Sequence, residues 1–393
     1  MNTGKSPNAL EIEVTDLVIR YGSVTAAGPV SFTVKRGQQL TLLGPSGCGK
    51  TTTLRAIAGL EKPTSGSIRI GGQAMYDGAQ GINLPAERRG LSMVFQSYAI
   101  WPHMTVFENV AYGLNVRRAG AAEVKEKVQW ALELVKMNAF AERNASQLSG
   151  GQQQRVAVAR ACAFHPKVLL FDEPLSNLDA KLRSEMRIEL RELQHRLGVT
   201  SIYVTHDLEE ALAMSDDIIV MRSGKIEQSG PPGEIYNHPR TAFVADFVGS
   251  ANLVRGELRP ELARNGWVAL ETDGGQVVHG VSLGRTPGSN PMMSVRTVRF
   301  HLSEQRPAQE VNVWPVTVIH SIFLGDLTQL HVDWSGREIV IRQTPVDTLK
   351  ENAKAYLWVD PEDCVLLEPG AAEAEAPPAP SVAKPALADL PRE

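Results

Sequence analysis

A glycine-rich segment, Gly44–Thr51, has the residue types and spacing of a loop that binds phosphates. Its sequence GPSGCGKT fits the pattern G-x-x-x-x-G-K-[ST] and lies between an apolar run, Leu40–Leu43, and a helical pattern that begins at Lys50. Glycines let successive backbone N–H groups converge on a polyphosphate, and the N-terminus of the following helix adds positive dipole character. In this pattern the lysine reaches the β- and γ-phosphates, and the next hydroxyl binds Mg²⁺. The residues predicted to contact a nucleotide are Gly44, Pro45, Ser46, Gly47, Cys48, Gly49, Lys50, Thr51 and Thr52, with Cys48 interpreted as a small filler rather than a reactive thiol.

Two carboxylates, Asp172 and Glu173, follow a second apolar run of strand length, Val168–Phe171. A carboxylate at such a strand tip is predicted to hold Mg²⁺ or its water ligands, and the next one to orient and polarise an attacking water. Taken alone, the pair could also be an acidic turn at the end of a strand. The phosphate loop earlier in the same chain favours the catalytic interpretation.

A second anion-binding cap is indicated at Ser149, Gly150, Gly151 and Gln152, because this segment precedes a helical pattern at 153–163. A serine followed by glycines at a helix start presents free backbone N–H groups to an anion. One nucleotide does not need two such caps in one chain. The second cap therefore suggests composite sites shared between two chains.

Strand and helix signals alternate up to about residue 240, which predicts a mainly parallel sheet flanked by helices. Between 180 and 197 the apolar residues recur every three or four positions, which indicates one face of a helix. After about residue 245 the pattern changes to short alternating runs separated by turn signals, which predicts an all-β domain. The segment 369–393 is mostly Ala, Pro and Glu without aromatic residues, so we expect a disordered tail.

Length and composition exclude several classes of protein. The 393 residues are too many for one ordinary domain of ~150 residues. A net charge of −4 argues against a general nucleic-acid binder, which carries a basic excess. No apolar stretch approaches the ~20 residues that span a bilayer, and no secretory signal is visible at the N-terminus. The three cysteines cannot form a disulfide framework and lack zinc-ligand spacing.

These motifs together resemble the nucleotide-binding subunits of ABC transporters. The resemblance covers about the first 240 residues. It includes the Walker A loop (44–51), a Q-loop at Gln96, the signature LSGGQ (148–152), Walker B with its glutamate (168–173), a D-loop (176–179) and a switch histidine, His206. It implies an α/β P-loop NTPase cassette with a helical subdomain, followed by an all-β, OB-like barrel of the type called TOBE.

The resemblance also implies roles for single residues. Two cassettes would enclose two ATP molecules head to tail, each held by the Walker A loop of one subunit and the signature of the other. Gln96 would contact Mg²⁺ together with Thr51 and Asp172, and His206 would contact the γ-phosphate. Tyr21 would stack on adenine, and Asp179 would couple the two sites across the dimer.

A single cassette without membrane helices, followed by a β-rich extension, resembles the ATPase of a bacterial importer. The expected domains are a nucleotide-binding domain (1–245, with a helical subdomain at about 97–165), a TOBE-like domain (246–368) and the tail (369–393). The implied partners are a second copy of the chain, membrane permease subunits and, indirectly, an extracytoplasmic solute-binding protein, with no nucleic acid. The implied location is peripheral, at the cytoplasmic face of the inner membrane.

The sequence of this chain gives little information about the transported solute. The segment 97–114 resembles ATPases for polyamines such as spermidine and putrescine, then ferric iron, then aminophosphonates, with sugar importers as close relatives. A non-transport ABC ATPase is the alternative from a different class. In the barrel, Thr297 and Val298 replace the Pro and Glu usual in relatives, so dimer contact is preferred there over a ligand site.

Overall fold

The computed structural model describes residues 9–345 and 350–369 and divides the chain into two compact units. The first comprises residues up to 239 together with 244–250, and the second comprises 240–243 and the residues from 251 onward. Most of the expected tail, 370–393, lies outside the described residues. Within those residues, no helix is long and apolar enough to cross a membrane.

The first unit alternates strands and helices along most of its length. Its elements are β1 (Leu10–Tyr21), β2 (Val24–Lys35), β3 (Gln39–Leu43), α1 (Lys50–Ala58), β4 (Ser65–Ile70), β5 (Gln73–Asp77), β6 (Ile82–Asn83), β7 (Leu91–Val94), α2 (Val106–Val116), α3 (Ala121–Leu134), α4 (Gly150–Cys162), β8 (Val168–Asp172), α5 (Ala180–Leu197), β9 (Thr200–Thr205), α6 (Leu208–Met214), β10 (Asp217–Arg222), β11 (Lys225–Gly230), α7 (Pro232–Asn237) and α8 (Ala242–Phe247), whose first two residues belong to the second unit.

A six-stranded sheet with the order β11-β10-β3-β9-β8-β7 positions the predicted site residues of this unit. Its strands are parallel except for the β10–β11 pair at one edge. Strands β3, β8 and β9 are buried along their whole length, as expected for parallel strands covered on both faces. Because parallel strands end at the same edge, the residues that follow β3, β8 and β9 meet there. The predicted parallel sheet is confirmed.

A second sheet, β2-β1-β4-β5-β6, is antiparallel in all its pairs and shares a hydrophobic core with β3 and α1. Helices α2, α3 and α4 pack on one another around a separate core that extends to α5. A capping box at Thr105 and Glu108 starts α2, with both reciprocal hydrogen bonds present. Helix α5 has the bounds that its apolar periodicity predicts.

The second unit is built from antiparallel strands. Its strands are β12 (Ala251–Arg255), β13 (Glu257–Leu258), β14 (Val268–Glu271), β15 (Val277–Gly280), β16 (Met292–Arg296), β17 (His301–Ser303), β18 (Val313–Phe323), β19 (Thr328–Trp334), β20 (Arg337–Gln343), β21 (Lys354–Trp358) and β22 (Val365–Leu366). They form sheets in the orders β12-β16-β22, β13-β14-β15 and β17-β21-β18-β19-β20. The predicted all-β character is confirmed, and Trp314 packs edge-on against Trp334 in the core.

The last strand of the second unit is short. In the segment 360–367, only Val365–Leu366 is extended and pairs with β16. Pro361–Asp363 forms a 3-10 turn instead. Proline has no backbone N–H and a fixed φ, so it starts a turn more readily than it joins a ladder.

Candidate active site

The phosphate-binding pattern lies in the turn between β3 and α1. Gly49 ends the turn in the left-handed region at φ 98°, and a Cβ there would approach the carbonyl oxygen of Ala26 to 2.5 Å. Helix α1 begins at the next residue without a side-chain cap. Its first backbone N–H groups are therefore available to an anion. Ser46 and Gly47 are exposed, so the outside of the turn is open to solvent.

The ammonium group of Lys50 is held inside this turn. Its Nζ donates hydrogen bonds to the carbonyl oxygens of Gly44 at 2.7 Å and Pro45 at 3.0 Å, and the residue is only 4% exposed. The thiol of Cys48 is buried beside it, and burial raises the pKa of this thiol. A buried thiol with a raised pKa packs rather than reacts, which agrees with the interpretation of Cys48 as a filler.

The Thr51 hydroxyl, in the first turn of α1, donates a 2.8 Å hydrogen bond to Oδ1 of Asp172 at the end of β8. Asp172 is 3% exposed, and burial raises the pKa of its carboxyl, while the Thr51 hydrogen bond and Arg55 act in the opposite direction. The guanidinium of Arg55 lies 3.6 Å from the other carboxylate oxygen. Two of the three predicted metal ligands are thus adjacent.

Glu173 and His206 meet at the same edge of the sheet. They follow β8 and β9, in which Asp172 is the register partner of Val204. The Oε2 atom of Glu173 lies 3.0 Å from Nδ1 of His206. The backbone of Glu173 is left-handed at φ 46°, and its N–H donates to the carbonyl oxygen of Val204. The imidazole remains half-exposed, so it is accessible to a ligand.

Gln96 lies against the D-loop in this structure. Its Nε2 donates to the Ser176 hydroxyl at 3.3 Å, and Asn177 donates to its backbone carbonyl at 2.9 Å. Within the described residues, no hydrogen bond joins Gln96 to Thr51 or Asp172. Asp179, at the end of the same loop, caps α5 by accepting from the N–H of Leu182.

The signature segment starts α4 with a complete capping box. The N–H of Gln152 donates to the Ser149 hydroxyl, and the N–H of Ser149 donates to Oε1 of Gln152. Ser149 and Gly150 are exposed, and a Cβ at Gly151 would lie 2.8 Å from a methyl carbon of Leu182. In the described parts of the chain, no hydrogen bond joins residues 149–152 to residues 44–52. Tyr21, at the end of β1, is 51% exposed, and its ring is available for stacking.

Two residues near the site, Arg55 and Glu210, were not singled out from the sequence. Arg55 is four positions after Thr51, one helical turn along α1, and this spacing was the signal that it shares a face with the phosphate loop. Glu210 lies in a charged run and looks exposed, yet it is 3% exposed and accepts hydrogen bonds from Tyr203 and Thr205. Burial raises the pKa of Glu210, whereas these hydrogen bonds lower it.

Known proteins match both units. A family described as ABC transporter matches residues 27–176, and one described as TOBE domain matches 293–367. The Fe(3+) ions import ATP-binding protein FbpC of Brucella abortus is 46% identical over 328 residues, which cover 84% of this chain and 89% of that protein. Its namesake in Vibrio cholerae is 42% identical over 352 residues, covering 88% of this chain and 95% of that protein.

Among the solved structures that resemble this chain is cbiO1 from Clostridium perfringens, part of the ABC transporter complex cbiONQ. The sequence identity is 28% and the TM-score is 0.53, with 57% of this chain and 90% of that chain covered.

A phosphate loop, a strand-end pair of carboxylates and a capped signature helix on a parallel sheet define an ATP-binding cassette. The chain belongs to the family of ABC importer ATP-binding proteins that carry a C-terminal TOBE domain. It is therefore an ATP hydrolase that powers solute import. The expected family, the fold class and the importer function are confirmed.

Proposed function

We propose that ATP binds on the loop from Gly44 to Thr52, with its adenine against Tyr21, and that Glu173 and His206 act on the γ-phosphate side. The contact between Glu173 and Nδ1 of His206 supports this assignment, because it leaves Nε2 of the imidazole to face a phosphate oxygen. The carboxylate of Glu173 then orients the attacking water.

We further propose that Mg²⁺ is held by Thr51 and Asp172, with Gln96 as a third contact. A hydroxyl and a carboxylate that already lie within 2.8 Å of each other offer the oxygen ligands that Mg²⁺ prefers. When bound, Mg²⁺ neutralises charge on the β- and γ-phosphates. Gln96 has to exchange its hydrogen bond with Ser176 for this contact, which links its side chain to the D-loop.

The site is proposed to be completed by a second copy of the chain, arranged head to tail. The exposed cap at Ser149 and Gly150 supports this arrangement, since among the described residues it has no hydrogen bond to its own phosphate loop. Asp179 is proposed to couple the two sites. The dimer is proposed to work at the cytoplasmic face of the inner membrane with permease subunits, which receive solute from an extracytoplasmic binding protein.

Ferric iron is the solute we propose. The observation that carries this choice is the similarity to Fe(3+) import proteins over 84–88% of the chain and 89–95% of the relatives. The sequence alone ranked polyamines ahead of ferric iron, and the relatives favour the second of these solutes.

The decisive experiment is transport by the complete complex in lipid vesicles, made from this chain together with the permease subunits and binding protein proposed above. We expect ATP-dependent uptake of radioactive ferric iron that unlabelled ferric iron suppresses and spermidine does not. A complex carrying Glu173→Gln serves as the control without hydrolysis. ATP-dependent uptake of spermidine, an aminophosphonate or a sugar, without uptake of iron, would contradict the assignment of the solute.

A further inference from the structure

Two histidines of the second unit lie directly opposite each other on neighbouring strands. His320, in β18, is the register partner of His331, in β19. Their imidazole ring centroids are 6.2 Å apart, with the rings at 67° to each other. The side chain of His320 is 61% exposed and that of His331 is 18% exposed. Both therefore belong to the outer, polar face of the five-stranded sheet.

An irregularity in β18 brings the two rings to the same face. The register shifts between Val318 and His320, so that Val318 pairs with Val332 whereas His320 pairs with His331. Val318 and Val332 are buried on the inner face. In a regular strand His320 would point inward with Val318, because side chains two positions apart share a face. The extra residue of the bulge turns His320 outward.

Each imidazole has a carboxylate at its Nδ1 atom. Nδ1 of His331 is hydrogen-bonded to Glu338, and Nδ1 of His320 lies 3.3 Å from Glu351. A histidine that binds a metal through Nε2 commonly donates its other N–H to a carboxylate, which fixes the tautomer and raises the basicity of the ligand. The amide of Gln329 lies 2.9 Å from Nε2 of His331, which assigns the lone pair to that nitrogen when Nδ1–H is donated to Glu338.

We propose that Nε2 of His320 and Nε2 of His331 together bind one divalent late transition metal ion, such as Zn²⁺ or Ni²⁺, with water as the remaining ligands. Two imidazole nitrogens at about 2.1 Å from one ion place the ring centroids roughly 5 to 6 Å apart, close to the separation observed here. Binding requires the exposed His320 ring to turn slightly and Gln329 to release its amide hydrogen bond.

The two imidazole ligands determine which metal ions the proposed site prefers. Imidazole nitrogens suit Zn²⁺, Ni²⁺ and Cu²⁺, whereas Mg²⁺ and Ca²⁺ prefer oxygen ligands. Within residues 9–345 and 350–369, no three His, Cys, Asp or Glu side chains form a metal-binding group, so this is a site with two protein ligands. Arg342 donates a hydrogen bond to Oε1 of Gln329 nearby, and the carboxylates of Glu338 and Glu351 each lie beside one imidazole.

The test is a calorimetric titration of the full-length, tag-free protein with ZnCl₂ in excess Mg²⁺, which occupies sites that prefer hard cations. We expect saturable binding of one Zn²⁺ per chain that is lost in His320→Gln and in His331→Gln. Glu338→Gln should weaken the binding of Zn²⁺ about ten- to a hundredfold, because it removes the carboxylate that accepts the hydrogen bond from Nδ1 of His331. The matched control is His301→Gln, since His301 stacks on Trp358 and has no histidine opposite it.

Circular dichroism of each variant confirms that the fold is retained, which is expected because His320 is exposed. Zinc affinity in His320→Gln equal to that of the unmodified protein would overturn the proposal. So would an absence of saturable binding in the unmodified protein, or equal loss of binding in His301→Gln.

Discussion

Oε2 of Glu173 and Nδ1 of His206 are 3.0 Å apart, at the ends of two adjacent parallel strands. The backbone fixes this contact from both sides, because the N–H of Glu173 donates to the carbonyl oxygen of Val204 while β8 and β9 run in register. Since Nδ1 faces the carboxylate, only Nε2 of His206 is left for a phosphate oxygen. We therefore propose that the pair places a water-orienting carboxylate and a phosphate contact side by side.

Replacing the carboxylate tests this arrangement most directly. Glu173→Gln keeps the shape of the side chain and removes the charge that orients water. We expect hydrolysis to fall by at least about two orders of magnitude, about 2.7 kcal/mol of barrier, with ATP binding retained. Phosphate release and equilibrium binding of ATP provide the two measurements. The matched control is Glu126→Gln on the exposed surface of α3, and hydrolysis at the unmodified rate in Glu173→Gln would refute the role.

Lys50 is expected to contribute to the binding of ATP rather than to the orientation of the attacking water. Lys50→Ala removes the ammonium group, which donates hydrogen bonds to the carbonyl oxygens of Gly44 and Pro45 in the phosphate loop. We expect the affinity for a fluorescent ATP analogue to fall at least about tenfold, which corresponds to about 1.4 kcal/mol. Lys62→Ala, at an exposed position after α1, is the control. Unchanged affinity and hydrolysis in Lys50→Ala would exclude the phosphate-loop assignment.

The buried carboxyl of Glu210 should make stability depend on pH. Burial raises its pKa in the folded protein, so the folded state binds more protons than the unfolded state between the two pKa values. The contribution of Glu210 to the stability of the folded protein is therefore present at low pH. It is lost as the pH rises through the pKa that the carboxyl has in the folded state. Glu210→Gln removes this titration, and its amide oxygen can still accept from Tyr203 and Thr205, which both donate to Oε2.

We expect Glu210→Gln to gain in melting temperature relative to the unmodified protein as the pH is raised from about 4 to about 8. Thermal unfolding followed by circular dichroism at several pH values gives this difference. Glu209→Gln is the neighbouring control, because that side chain is largely exposed. A difference between Glu210→Gln and the unmodified protein that does not change with pH would contradict the role of burial.

The sequence predicts the parts of this site that are local along the chain and misses those that depend on distant packing. The phosphate loop and the Asp172–Glu173 pair are contiguous motifs beside buried strands, so their places at the sheet edge follow from the parallel arrangement. The contact of Gln96 with Ser176 joins two loops 80 positions apart, and no spacing rule predicts it. The burial of Glu210 likewise depends on Tyr203, which its own charged segment does not reveal.

The composite site is tested best at Ser149. A side chain at Gly151 would press on Leu182, so a substitution there disturbs packing as well as binding. Ser149 and Ser46 are both exposed, and all three native cysteines are buried and free. These positions are therefore suitable for cross-linking once the native cysteines have been replaced.

We expect Ser46→Cys with Ser149→Cys, in a chain with Cys48, Cys162 and Cys364 replaced by alanine, to form a disulfide between two subunits that ATP promotes. A head-to-tail arrangement brings the phosphate loop of one chain to the signature cap of the other, and a disulfide requires Cα atoms within about 7 Å. Glu173→Gln in the same chain is expected to prevent the hydrolysis of ATP, and non-reducing electrophoresis detects the doubled mass. Ser46→Cys with Ser146→Cys, three positions before Ser149 in a separate 3-10 turn, should cross-link much less. A disulfide that forms within one chain, or none at all with ATP and the membrane subunits present, would rule out the head-to-tail site.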